Sequence, residues 1–173
     1  MNGKKGLIIL SISVCMFGLK ISEDYGISWD ETLQRFRGQE ALVYVIQKFG
    51  IFQNREIPDS LKGYSVDGSG RYGAIFDLPT AALEEIFYSE DIKDAFLFRH
   101  KLNWVISFLG IVGFFLFTKF IFQSWEKAII ATLFYMLHPR LLAHGFFNPK
   151  DSILQALVAY SLYPLARAYF DKA

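Results

Sequence analysis

A chain of 173 residues suits one ordinary domain, but 18 Phe and only 20% charged residues, gathered between long apolar stretches, do not suit a water-soluble one. A net charge of +1 argues against nucleic acid as a partner, which calls for a basic face. The single cysteine, Cys15, excludes a disulfide framework or a cysteine-based metal site within the chain, and leaves the redox compartment unread.

Lys4 and Lys5 precede an apolar run over residues 6–19. The run is short for a span and has the length of a signal-peptide core. No A-x-A pattern follows it, and Ile12-Ser13-Val14-Cys15 lacks the small residue that lipoprotein processing needs before its cysteine. The expectation is an uncleaved signal-anchor helix over residues 1–20. Residues 21–101 then form a long outer loop with juxtamembrane helices. Ser28-Trp29-Asp30-Glu31 has the form of a capping box. It predicts an amphipathic helix to about Phe49, with Leu33, Phe36, Leu42, Val45, Ile46 and Phe49 on its apolar face. A loop rich in Gly, Ser and Pro follows over residues 54–73, and a short helix over residues 80–88. Helices of this kind lie on a membrane surface.

Residues 102–173 read as three membrane segments with a short polar outer loop at 138–151. Over residues 102–122 the only charge is Lys119. At ~1.5 Å per residue this run reaches ~30 Å, the thickness of the hydrocarbon. Trp104 and Trp125 stand near its ends, as interface anchors do. A third segment, residues 128–142, is interrupted by His138-Pro139-Arg140 and should kink or end near Leu137. The fourth, residues 152–170, carries Pro164 and Arg167 near its far end. The fold class expected is all-α integral membrane, with about four transmembrane helices and amphipathic surface helices in the first outer loop. The clusters Lys4/Lys5, Lys119/Lys127 and Arg167/Lys172 place the N-terminus in the cytoplasm and residues 20–101 and 138–151 outside a plasma or inner membrane.

Few motifs carry chemistry. Gly68-Ser69-Gly70-Arg71-Tyr72-Gly73 matches G-x-G-x-x-G but lacks the flanking strand and helix, and reads as a plain glycine loop. No P-loop, nucleophile elbow or H-E-x-x-H is present. Asp30 and Glu31, just past the first apolar segment, have two readings: helix capping with a favourable dipole, or a general base at the outer membrane face. The second polar cluster holds His138, Pro139, Arg140, His144, Asn148, Pro149, Lys150 and Asp151. Asp151 or Ser152 capping the fourth segment explains part of it, and cations snorkelling to lipid phosphates another part. Binding of a phosphate at the membrane surface explains the gathering of two His, an Arg and a Lys. His138 and His144, six apart, are a weak metal pair.

Three stretches carry a resemblance to a known family. They are Trp29-Asp30-Glu31, Phe98-Arg99-His100 with Asn103, and the run from His138-Pro139-Arg140 through His144 to Asn148-Pro149-Lys150-Asp151. Arg71-Tyr72-Gly73 and Phe76-Asp77-Leu78 add to it. The chain resembles the N-terminal portion of GT-C membrane glycosyltransferases, of the dolichyl-phosphate-mannose protein mannosyltransferase and aminoarabinose transferase kind. The resemblance implies transfer of a sugar from a polyprenyl-phosphate donor at the outer face. Asp30 matches the family's general base, Glu31 its neighbour, and Asp151 the acid of the next outer loop. Arg140, His144 and Lys150 are assigned by location as the cations that hold the carrier phosphate. Related enzymes differ in metal use, so a divalent metal stays open and no cofactor is assigned. The partners implied are membrane lipid, the donor, and a partner membrane subunit or the missing C-terminal half. A non-catalytic small membrane protein, binding lipid phosphate or a partner subunit, is the alternative.

Overall fold

The computed structural model describes residues 3–50, 75–87 and 91–170. The glycine loop, Arg71-Tyr72-Gly73 and the end of the second short helix at Tyr88 lie outside the described residues. Among the described residues every element is helical: α1 Gly3–Ile21, α2 Glu31–Phe49, α3 Asp77–Phe87, α4 Ile92–Phe122, α5 Trp125–Met136, α6 Pro139–Phe147 and α7 Pro149–Phe170. They divide into two compact units, one of Met1–Gly26 with His100–Ala173, the other of Ile27–Arg99.

In the first unit, sequence punctuation sets the helix ends. Gln123 adopts a left-handed φ of 52°, which stops α4. Ser124 is extended and accepts the Lys127 N–H at 3.3 Å, which starts α5. Leu137 closes α5 with a 2.8 Å bond from its N–H to the Leu133 carbonyl. His138 is held extended, as the residue before a proline is, and Pro139 opens α6. The expected third segment is thus two helices of 12 and 9 residues, at a break beside Leu137.

Close backbone approach joins α4 to α7. A Cβ at Gly110 would lie 2.6 Å from Cα of Ala156, and one at Gly113 would strike the backbone of Tyr160. Small residues let helix backbones meet in this way. Trp104 is 3% exposed, so it is not the interface anchor expected of it. Its indole fills the space above Gly18 and donates at 3.0 Å to the Cys15 carbonyl, fastening α1 to α4. It stacks on Phe146 at 4.6 Å, and Phe146 stacks on Tyr25 at 4.8 Å. Trp125 is well exposed, with the Lys119 ammonium 5.0 Å from its ring centre.

Of the described helices, α4 alone is both long and apolar enough to cross a membrane. It starts at Ile92, ahead of the run expected to begin at 102. Only 17% of its most apolar stretch is buried inside the protein, unlike the core helix of a soluble fold.

In the second unit, α2 starts as half of a capping box. The Glu31 carboxylate accepts the Ser28 N–H at 2.5 Å, while Asp30 stands at the N-cap with helical backbone and no side-chain cap bond. Gly50, left-handed at φ 62°, ends the helix. The buried row of α2 is Glu31, Gln34, Gly38, Gln39, Val43 and Ile46. Of the apolar face expected, only Ile46 belongs to it; Leu33, Phe36 and Phe49 are exposed. Gly38 turns the helix this way, because a Cβ there would lie 2.5 Å from the Asp77 carbonyl oxygen of α3.

The same packing gathers buried charge. Arg99 donates to Glu84 at 2.9 Å and to Asp77, and Arg35 donates to the other oxygen of Glu84 at 2.8 Å. Arg99 and Glu84 are both 2% exposed. Burial pushes the Asp77 carboxyl above its usual range, while the Arg99 charge pulls it back.

Candidate functional site

The polar corner where α6 meets α7 lies within the first unit. Asn148 sits between two prolines' helices: α6 ends at Phe147, and Pro149 takes the first position of α7. Asn148 caps α7, which starts three residues before the expected point. Its carbonyl accepts the Ser152 N–H at 3.1 Å, and its Oδ1 accepts the Asp151 N–H at 3.4 Å. Neither Asp151 nor Ser152, the caps expected from the sequence, is therefore the cap.

The amide nitrogen of Asn148 faces the other way. It donates to Oδ2 of Asp151 at 3.1 Å and lies 3.3 Å from Nδ1 of His144. His144 Nδ1 is itself 3.5 Å from Oδ2 of Asp151. The side chain of His144 is 20% exposed and that of Asp151 50%, so a solute can reach both. Arg140 is exposed one helical turn before His144, and Lys150 is exposed in the first turn of α7.

The corner is held from behind. Asn103 of α4 donates to the His144 carbonyl at 3.0 Å and accepts from the Ser152 hydroxyl at 2.6 Å. One buried side chain thereby fixes α4, α6 and α7 together. The cavity behind, lined by Trp104, Ser107, Tyr135, Gly145, Ser152 and Gln155, has a volume of about 20 Å³. That holds roughly one water molecule.

The structure thus brings His144 and Asp151 into contact and places Arg140 and Lys150 on the same two helices. Asp30 and Glu31 belong to the second unit and start α2. Glu31 is 2% exposed and committed to the Ser28 N–H, whereas Asp30 is exposed. A side-chain cap bond therefore accounts for Glu31, while Asp30 holds the N-cap position without one. Among the described residues no three His, Cys, Asp or Glu side chains gather as metal ligands. Sequence reasoning gave no role to Asn148 and Asn103, although asparagine directly before a helix-opening proline is a legible cap signal.

Comparison with protein-family models, with curated proteins and with solved structures finds no significant match.

Proposed function

We propose that the chain is a GT-C type glycosyltransferase, or the N-terminal portion of one, moving a sugar from a polyprenyl-phosphate carrier to an acceptor at the outer membrane face. Asp30 removes the acceptor's proton as it attacks the anomeric carbon. Arg140, His144 and Lys150 hold the charge that grows on the leaving phosphate, and Asp151 supports them. Four segments cross the membrane under this reading: α1, α4, the broken pair α5–α6, and α7. The N-terminus is then cytoplasmic, and Asp30 and the corner lie outside a plasma or inner membrane.

The α6–α7 corner carries the proposal. Cationic and acidic side chains are gathered there in reach of solvent, on a unit whose helices leave Ile9, Phe17, Phe134, Leu154 and Leu165 uncovered. A lipid-borne phosphate needs both features at once. Exposed Asp30, whose side chain makes no cap bond, is the second support.

The alternative, a non-catalytic membrane protein that binds lipid phosphate or a partner subunit, is favoured by Glu31, whose carboxylate is spent on structure. Transfer of labelled sugar from polyprenyl-phosphate donors decides between them. Under the enzyme reading the wild-type chain transfers, and Asp30→Ala loses about a hundredfold or more. Absence of transfer from the wild type leaves the binding role.

A further inference from the structure

The corner contains one more residue with a chemical task. The Asp151 N–H needs an oxygen from its cap, so the oxygen end of the Asn148 amide points at the helix start. The nitrogen end is thereby turned to His144 and Asp151. An amide nitrogen only donates, so a hydrogen bond across the 3.3 Å between them makes Nδ1 the acceptor. A neutral imidazole that accepts at Nδ1 carries its proton on Nε2. Asp151 faces the same Nδ1 from 3.5 Å and would compete for a proton there. The 3.1 Å bond from Asn148 is shorter than that 3.5 Å approach and takes one of the acceptor sites of that carboxylate oxygen.

We propose that Asn148 is a positioning residue that holds neutral His144 in the Nε2–H tautomer, so that the ring offers an N–H to a phosphate oxygen of the carrier without first taking up a proton. This rests on the carrier-phosphate reading of the corner. The α7 cap sets the amide, the amide sets the imidazole, and the imidazole meets the ligand. Asn103 completes the arrangement by holding the His144 carbonyl.

The test uses the full chain in lipid nanodiscs with isotope-labelled histidine. The chain has three His, and His144→Gln identifies the signal of interest. Ring carbon and nitrogen shifts at pH 8 should report the Nε2–H form. Asn148→Asp keeps a good helix cap but sets an acceptor opposite Nδ1. It should move His144 to the Nδ1–H form or to imidazolium. An Nδ1–H signal in the wild type, or an unchanged tautomer in this variant, overturns the proposal.

A second measurement is binding of farnesyl phosphate. Asn148→Ser keeps the cap and adds no charge, but is too short to reach the ring. It should weaken binding by about tenfold, the loss of one well-aimed bond to a charged group. Equal affinity would overturn the positioning role. A wild-type chain that fails to bind farnesyl phosphate, while His144 keeps its tautomer, would instead remove the carrier-phosphate reading beneath it.

Discussion

Among the described residues, two concentrations of polar side chains are built on opposite terms. In the second unit, Arg99, Glu84, Arg35 and Asp77 answer one another, and the innermost pair is almost wholly buried. At the α6–α7 corner of the first unit, His144, one-fifth exposed, lies 3.5 Å from half-exposed Asp151, and Arg140 and Lys150 are exposed. Buried charges that neutralise one another depend on staying paired, because removing one leaves an uncompensated charge inside the fold. Exposed charges contribute little to stability and are available to a ligand. The contrast sets buried, mutually paired polarity against solvent-exposed polarity without reference to any motif.

Each change below presses on that contrast. The largest loss of stability should follow Glu84→Ala, which removes the carboxylate that Arg35 and Arg99 share and leaves Arg99 with Asp77 alone. A cost of about 3–5 kcal/mol is expected, read as loss of hydrogen-exchange protection in α2 and α3. Next come the close approaches: Gly110→Ala or Gly38→Ala must push backbones apart, for about 1–3 kcal/mol, measured by thermal unfolding in detergent. Smaller again, Gln123→Gly relieves a left-handed backbone and should raise stability by up to about 1 kcal/mol.

The smallest effect concerns pH. Lys20, at 2.5 Å, and Lys101, at 3.0 Å, hold the Glu23 carboxyl down to about 2 from an ordinary 4.5. A depressed acid stabilises the fold above its unfolded value, and that contribution fades as pH falls from about 4.5 towards 2. Glu23→Gln should flatten the acid limb of the unfolding curve slightly, and added salt should do the same.

The sequence made some of these features legible and hid others, for physical reasons. The break beside Leu137 and the start of α6 follow from His138-Pro139, because proline dictates the backbone before it. The end of α2 at Phe49 follows from Gly50. The buried face of α2 was not legible, because apolar spacing pointed to Leu33, Phe36 and Phe49. The face is chosen instead by Gly38 meeting Asp77 and by Arg35 meeting Glu84, 49 positions away. Trp104 misled for a similar reason: an aromatic at the end of an apolar run fits an interface or a core equally well, and Gly18 decides for the core. At the corner, the residue types were evident, but the pairing of His144 with Asp151 depends on the Asn148 amide, a matter of cap geometry.

The measurement closest to the central claim takes stability and sugar transfer together on purified Asp30→Ala and Asp151→Asn chains. Unfolding within about 0.5 kcal/mol of the wild type, with transfer from a polyprenyl-phosphate donor lost, is the result this account predicts. Full transfer by both variants, or loss of transfer that only tracks loss of fold, would contradict it and return these carboxylates to structural duty.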